Sequence, residues 1–319
     1  MGIELQTGEY EDWMKEQVID MICEQYGYDK TLYTKQFTNF YEPAYQNDAV
    51  KVILLDDKKV TGFMGFFCWP YTFKGKTYRV FQAGNVIVDP TYRGQRIFHR
   101  MVEYMGENYL EKGVDMLVGF PVPIAFNTYI RNGWKNIFDL NWWVKINNPL
   151  SPIFPLNISK IEKLFPEEKR SHLNGVDDFV IMADDERFNE WRSGYYKSKK
   201  YYYTYEDDQI DIQFGVKLNK RKKVINEMII GEVLASNYDP TNLKRALKYL
   251  LTKIKQIHGI TIVSFAANPD DPIFSNLLNE LNFRKIEKKI FFVAKNFSSD
   301  PDLMNSEKWS IFRGDLDTW

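Results

Sequence analysis

Val86-Ile-Val-Asp-Pro-Thr-Tyr-Arg-Gly-Gln-Arg-Ile-Phe98 joins an apolar strand to a helix through a short, basic loop. The first N–H groups of a helix have no intrahelical acceptor, and the helix dipole adds partial positive charge at the same end. Gly94 lets the backbone approach an anion closely, and Arg93 and Arg96 add charged donors. The pattern predicts a pyrophosphate-binding loop. The simpler alternative is a basic turn that only connects a core strand to a surface helix.

The residues before this loop have the pattern of two helices followed by a strand meander. Apolar side chains recur at helical spacing over residues 10–26, and a second helix is expected over 30–41. The segments 50–55 and 60–69 are apolar and flank an Asp-Asp-Lys-Lys turn. A longer strand over 79–88 leads into the loop. This order predicts antiparallel strands that end at the basic loop.

A strand–helix–strand crossover is expected after the loop. Residues 97–109 carry a helical apolar stripe, and 114–120 form a short apolar run. Because such a crossover joins parallel strands, this run should pair in parallel with the strand over 79–88. A helix over 123–132 and a strand over 134–146 complete the unit.

The loop resembles motif A of the GNAT acyltransferase superfamily, which binds acetyl-CoA. That motif reads Arg/Gln-x-x-Gly-x-Gly/Ala after a strand that ends in Val-x-Pro. Arg93 and Gly94 fit its common form, whereas Arg96 and Phe98 stand where the first and second required glycines would be. A second stretch, Ala125-Phe-Asn-Thr-Tyr129-Ile-Arg-Asn-Gly133-Trp134, is similar to the superfamily's Ala-x-x-x-Tyr-x-x-x-Gly-Phe segment.

The two signatures occur in the superfamily's order, and the resemblance implies a GNAT-like, acetyl-CoA-binding catalytic domain over residues 1–146. Its fold would be α/β of the α+β kind, a mixed sheet flanked by helices. Backbone N–H groups near Ile87 and Val88 would bind the pantetheine or polarise the thioester carbonyl. Tyr129 would protonate the departing thiolate, and its alternative role is that of a core tyrosine. The resemblance places the pyrophosphate against Arg93, Gly94, Gln95, Arg96, Ile97 and Phe98.

The general base of such a reaction is not evident in the sequence. A protonated amine must lose a proton before it attacks, yet no Glu lies on the strand over 79–88. Gln82 and Asn85 lie there and could orient a water or bind the acceptor. His99 could reach the phosphates or be an ordinary surface histidine. No Cys, His or Asp cluster has metal-ligand spacing, so no metal is expected.

The second half of the chain repeats the strand and helix pattern of the first without its chemistry. Residues 147–175 contain several prolines and little periodicity, and they are expected to form a linker. The loop at 237–241 is acidic and has no Arg-Gly pair, and Leu278 takes the place of the signature tyrosine. We therefore expect residues 176–319 to form a second GNAT-like domain without cofactor, which shapes the acceptor cleft or stabilises the first domain. An unrelated α/β domain is the alternative.

The final segment, residues 309–319, mixes aromatic with acidic side chains. A segment this apolar is expected to pack against the protein. Asp315 and Asp317 could face a cationic acceptor, and a capped, packed tail is the simpler interpretation.

Composition limits the classes of function. The 319 residues suffice for two domains, and a formal net charge of -1 gives no overall attraction to nucleic acid or to an anionic membrane. The two cysteines, Cys23 and Cys68, are far apart in sequence and fit reduced thiols. We expect a cytoplasmic protein that acts on a small-molecule amine, with no nucleic-acid or membrane partner, and its oligomeric state is left open.

Three functions are compatible with the sequence. The first is an acetyl-CoA-dependent N-acyltransferase that acetylates the amine of a small molecule or amino sugar. The second is an aminoacyl transferase of the tandem-GNAT type with a non-CoA donor, which the departures at Arg96 and Phe98 leave open. The third is a non-catalytic binding protein that retains the fold.

Overall fold

The computed structural model describes residues 3–7, 10–108, 113–166, 168–169, 176–183, 185–195, 199–207, 210–222 and 224–319. The elements of the first half are β1 (Glu4–Thr7), α1 (Asp12–Tyr26), α2 (Lys30–Tyr41), β2 (Val50–Asp56), β3 (Lys59–Cys68), β4 (Tyr71–Phe73), β5 (Lys76–Tyr78), β6 (Val80–Val88), α3 (Ile97–Asn108), β7 (Met116–Gly119), α4 (Pro123–Arg131) and β8 (Lys135–Ile146). Those of the second half are α5 (Ile158–Leu164), β9 (Ile181–Met182), α6 (Glu186–Tyr195), β10 (Lys200–Asp207), β11 (Ile210–Arg221), β12 (Ile225–Ala235), α7 (Pro240–Lys255), β13 (Ile262–Ala267), α8 (Pro272–Glu280) and β14 (Arg284–Asn296).

One large mixed sheet runs through both halves of the chain. Its eleven strands have the order β1-β2-β3-β6-β7-β14-β8-β13-β12-β11-β10. β6 pairs in parallel with β7, and β12 pairs in parallel with β13, whereas the other neighbours are antiparallel. The predicted mixed sheet with flanking helices is confirmed, and so is the parallel crossover around the basic loop.

The last strand of each half lies inside the sheet of the other half. β14 lies between β7 and β8, where Val293 pairs with Gly119. β8 in turn lies between β14 and β13, where Trp143 pairs with Phe265. The two halves therefore share a continuous ladder of hydrogen bonds. The domain boundaries at residues 146 and 176 stay a prediction. The eleven-stranded sheet continues from one half of the chain to the other without a break.

Two glycines of β3 let helices pack closely on the sheet. A Cβ atom on Gly62 would overlap the side chain of Ile97 at the start of α3. A Cβ atom on Gly65 would overlap the hydroxyl end of Tyr41 in α2. Any larger residue at either position would push a helix away from the sheet. These contacts fix α3, and with it the basic loop, against the strand next to β6.

The predicted linker contains structure of its own. α5 lies within it, and Ile161 and Phe165 are buried in the core of the second half. Part of that linker, residues 170–175, and the predicted helical residue Tyr109 lie outside the described residues. Among the helices that the structure describes, none is long and apolar enough to cross a membrane.

Candidate active site

A cleft opens where β6 and β7 separate. The two strands pair from Val80 and Met116 as far as Ala83 and Gly119. β7 then ends, whereas β6 continues to Val88. A cavity of about 1060 Å³ extends from this point between the α1–α2 region, α4 and β14. Gln82, Asn85 and Tyr129, three of the predicted site residues, all line it.

A bulge turns the backbone of β6 at the mouth of this cleft. Gly84 pairs with Gly65 and Ile87 with Phe63, so β6 has one residue more than β3 between these pairs. Asn85 lies in the bulge with a φ of 49°, a conformation that L-residues other than Asn, Asp and Gly adopt rarely. A bulge of this kind redirects backbone and side-chain groups. It explains why Asn85 contributes to the cavity lining.

Ile87 and Val88, which were predicted to offer backbone N–H groups to the cofactor, lie farther along β6. The lining of the cavity on β6 runs from Gln82 to Val86. The Ile87 side chain is buried in the core, and its backbone lies beside Phe63 of β3. The role of these two amides remains a prediction.

The basic loop is held at its start by Asp89. Its carboxylate accepts hydrogen bonds from the Thr91 amide at 2.8 Å and the Thr91 hydroxyl at 2.6 Å, and it pairs with Lys59 at 2.9 Å. Burial acts to raise the pKa of Asp89, but the Thr91 hydrogen bonds and Lys59 outweigh it and lower the pKa below its usual value. Tyr92 donates to Asp56 at 2.8 Å. These contacts fix the approach of the chain to α3.

The loop reaches α3 through two residues in the left-handed region. Gly94 has a φ of 85° and Arg96 a φ of 60°. Arg96 thus adopts the backbone conformation that suits glycine at the position where motif A has one. A non-glycine residue pays of order 1 kcal/mol for this conformation. Arg96 therefore keeps the shape of the loop and adds a positive charge to it.

The start of α3 offers unpaired backbone donors. The Arg96 carbonyl accepts the first helical hydrogen bond, from the Arg100 amide at 2.9 Å. The amides of Ile97, Phe98 and His99 have no acceptor within the residues that the structure describes. Together with the dipole of α3, these N–H groups form an anion-binding end. These amides and the neighbouring arginines therefore fit the negative charge of a pyrophosphate group.

The side chains of the loop divide between solvent and core. Arg93, Gly94, Gln95 and Arg96 are exposed, and Arg93 donates to Gln25 of α1 at 2.5 Å. Ile97 is buried, so only its backbone can contact a ligand. Exposed arginines next to free amides are suited to a phosphate group that arrives from solvent.

Tyr129 lies between the loop and the cavity. Its ring packs edge-on against Phe98, with centroids 5.6 Å apart, and against Trp134, at 4.9 Å. Phe98, at the second of the superfamily's glycine positions, thus helps to place Tyr129. Burial and the charge of Asp317 raise the pKa of Tyr129, which keeps its hydroxyl protonated at neutral pH. A protonated hydroxyl can donate to a leaving thiolate.

His99 has local partners instead of a place in the cavity. Asn132 donates to its Nδ1 at 3.0 Å, and Glu103 lies 3.9 Å from its Nε2. The cavity lining does not include it among the described residues. Its amide belongs to the anion-binding end of α3, while its ring packs beside α4.

The C-terminal segment, residues 309–319, forms part of the cavity wall. Leu316, Asp317, Thr318 and Trp319 line the cavity. Trp69 donates to the Asp315 carbonyl at 2.8 Å, and Arg192 donates to the Leu316 carbonyl at 3.1 Å. The mixture of aromatic and acidic residues predicted a packed segment, and this is confirmed. Where it packs depends on contacts that are distant in sequence.

Lys217 of β11 and Lys289 of β14 also line the cavity. Lys217 itself lies within β11 and is buried, with its amine 4.6 Å from the Trp319 ring centroid. Burial and the nearby Lys200 lower the pKa of Lys217 to about 7.

The second half has an equivalent cleft that its own chain fills. β12 and β13 pair as far as Ile230 and Phe265, and β12 continues through Gly231. A Cβ atom on Gly231 would overlap the indole of Trp319, and Phe312 forms a β-bridge with Ala267. In the second half, the C-terminal segment thus fills the space that corresponds to the open cleft beside Gly84 in the first half.

The helix after β12 also differs from α3 in its first turn. The Asp239 carboxylate accepts from the Asn242 amide at 2.8 Å and caps α7. This cap uses a free amide and adds negative charge where an anion would bind. Both features support the expectation that the second half holds no cofactor.

Within the residues that the structure describes, no group of three or more His, Cys, Asp or Glu side chains is arranged to hold a metal ion.

Comparisons with known proteins agree with this geometry. Residues 9–137 match the acetyltransferase (GNAT) domain family. A GCN5-related N-acetyltransferase from Anabaena variabilis has a TM-score of 0.63 and 11% identity, over 92% of this chain and 73% of its own. One from Kribbella flavida has a TM-score of 0.54 and 11% identity, over 92% and 71%. The N-myristoyltransferase of Saccharomyces cerevisiae with bound myristoyl-CoA has a TM-score of 0.51 and 13% identity, over 99% and 85%.

No curated protein sequence gives a significant match. At these identities the structural likenesses show the fold. The match to the acetyltransferase (GNAT) domain family lies in the first half of the chain and includes β6, the basic loop and α3.

Proposed function

We propose that this protein transfers an acetyl group from acetyl-CoA to the amine of a small molecule. The observation that carries the proposal is the open cleft between β6 and β7, which Tyr129 lines while its ring packs on Phe98 at the free amides of α3. A thioester donor with a pyrophosphate can use both groups. The filled cleft of the second half is an internal contrast, because it has the same strands without the free space.

The chain's own residues divide the work of binding. The amides of Ile97–His99 and the guanidinium groups of Arg93 and Arg96 would hold the pyrophosphate. The free edge of β6 beyond Ala83 would pair with the pantetheine amides, and amides near Ile87 and Val88 would polarise the thioester carbonyl. Acetyl-CoA supplies the activated acyl group. Tyr129 would give its proton to the departing sulfur.

The acceptor is proposed to be a small amine that enters between α1, α2 and the C-terminal segment. Aromatic side chains of α2 form that side of the cavity, among them Tyr33, Phe37 and Phe40. Such walls suit an amino sugar or an aryl amine.

A cytoplasmic location is part of the proposal. Cys23 and Cys68 are both free thiols in the structure. Unpaired thiols are typical of a reducing compartment, where acyl-CoA donors are also made.

Binding of the donor gives the first test. Acetyl-CoA should raise the melting temperature as its concentration passes the dissociation constant, because it binds only the folded protein. Acetyl-pantetheine, which lacks the pyrophosphate, is the matched probe and should stabilise much less. Absence of any shift at millimolar acetyl-CoA would exclude this function and favour the non-CoA donor or the non-catalytic alternative.

Turnover gives the second test. Release of the CoA thiol is followed with a panel of amino sugars, aryl amines and alkylamines. We expect acetylated product with at least one class, identified by its added mass. A parallel series with longer acyl-CoA donors measures how much of the 1060 Å³ cavity can accept acyl chain.

A further inference from the structure

The C-terminal segment brings a carboxylate to the mouth of the cleft. Asp317 is half-buried and lines the cavity together with Gly84 and Tyr129. A Cβ atom on Gly84 would lie 3.6 Å from its Oδ2. Gly84 directly follows the last residue of β6 that pairs with β7. The carboxylate therefore lies against β6 where the donor cleft begins.

Gln82 offers an unsatisfied acceptor beside this carboxylate. Its side chain is 1% exposed and lines the same cavity. It donates a hydrogen bond to Asp317, while its Oε1 has no partner in the described part of the chain. A buried acceptor without a partner destabilises the folded protein. An amine that binds beside the two residues would donate to this acceptor.

We infer that Asp317 is the general base of the acyl transfer and that Gln82 holds the acceptor amine beside it. The inference rests on the proposed function, because it assigns the proton acceptor that an ammonium substrate requires. The base thus comes from the last residues of the described chain, and the acid Tyr129 comes from the first half.

Four proton transfers accompany the exchange of bonds. The ammonium group gives one proton to the Asp317 carboxylate, and the free amine attacks the thioester carbonyl. The new C–N bond forms and the C–S bond breaks, and the departing thiolate takes the Tyr129 proton. As the amide forms, its nitrogen loses a second proton, which returns to the Tyr129 oxygen. Asp317 then releases its proton to solvent, so that the products are the amide, the CoA thiol and one proton.

The charges around Asp317 suit this role. Burial raises its pKa above the usual carboxyl range, and Gln82, Arg313 and Arg192 oppose that rise. A raised pKa makes the carboxylate a stronger base. Four groups face the Asp317 carboxylate: Gln82 from β6, Tyr129 from α4, Arg192 from α6 and Arg313 from its own segment. Two more cations, Lys217 from β11 and Lys289 from β14, line the same cavity.

Asp317→Asn tests the inference with two acceptor probes in the full chain. Ethylamine is protonated at neutral pH and needs a base, whereas hydroxylamine is largely neutral and does not. We expect kcat/KM for ethylamine to fall at least about a hundredfold, and that for hydroxylamine to fall much less. The rising limb of the wild-type pH profile should disappear, and the Kd of acetyl-CoA should stay unchanged.

Two further variants separate catalysis from structure. Glu307→Gln removes an exposed carboxylate from the neighbouring chain and should behave as wild type. Asp317→Glu should recover part of the ethylamine activity together with a pH-dependent limb. Equal losses with both amines, or an unchanged pH profile in Asp317→Asn, would overturn the assignment. Donor binding without transfer to either amine would also count against it, whereas no donor binding would instead reject the proposed function.

Discussion

Gly231→Ala should displace the C-terminal segment from the second cleft. The added Cβ would overlap the Trp319 indole, whose Cε2 lies 2.8 Å from the Cβ position. Carbon atoms in contact are normally about 3.5–4.0 Å apart, so the ring must move by about 1 Å. Trp319 is 2% exposed and donates from Nε1 to Glu232 at 3.0 Å. The substitution therefore disturbs both packing and a buried hydrogen bond.

The cost follows from how the indole responds. Overpacking in place costs about 1–3 kcal/mol, and complete loss of the buried ring would cost about 3–5 kcal/mol, as for Trp→Ala. Each kcal/mol lowers the melting temperature of a chain of 319 residues by about 1.5 °C, because the unfolding entropy is about 2.1 cal/mol/K per residue. We expect a fall of at least about 1.5 °C, together with slower turnover because Asp317 lies two residues away.

Heat unfolding and CoA thiol release measure these two effects. Gly194→Ala is the matched control, because Gly194 is an exposed residue of α6 whose Cβ position meets no atom within 4 Å. It should be neutral or slightly stabilising. If Gly231→Ala were as stable and as active as Gly194→Ala, the packing of Trp319 in the second cleft would be wrong.

Three other predictions follow from single residues. Tyr129→Phe should lower kcat by about a hundredfold in thiol-release assays and leave the Kd of acetyl-CoA unchanged, since only the donated proton is lost; an unchanged kcat would remove Tyr129 from the acid role. Arg96→Gly should raise the melting temperature slightly by relieving the φ of 60° and should weaken acetyl-CoA but not acetyl-pantetheine; equal weakening of both ligands would contradict the loop's role. Burial raises the pKa of Asp315 to about 7 from an unfolded value of about 3.9. Because its folded-state pKa is the higher one, its contribution to stability is present below about pH 4 and is lost as the pH rises to about 7. Urea unfolding of Asp315→Asn across this range should show a flatter pH dependence than wild type, and identical slopes would refute it.

Local features of the fold were predictable from the sequence. The predicted helices over 10–26 and 30–41 correspond to α1 and α2, because their apolar spacing is strong. The parallel crossover around the basic loop followed from the short connection through α3. The left-handed conformation of Arg96 was not predictable from its residue type, since only the surrounding loop requires it.

Long-range pairing left no local pattern to detect. Nothing in the residues of β14 indicates that they pair with β7 and β8 instead of β13. For the same reason, the sequence left open whether Asp315 and Asp317 face an acceptor or belong to a packed tail, and only the structure places Asp317 in the cavity wall. Residues that act through distant contacts need the structure to be recognised.

Because β8 and β14 each lie in the sheet of the other half, the order of synthesis determines when these strands can pair. β7 emerges from the ribosome long before residue 293, its partner in β14, has been made. Until then the edges of β7 and β8 that β14 will cover have no strand to pair with, and unpaired edges favour aggregation. The first half thus reaches its native sheet only when translation has passed the last strand. A nascent chain that stops short of β14 has a first half in which β7 and β8 each keep an unpaired edge.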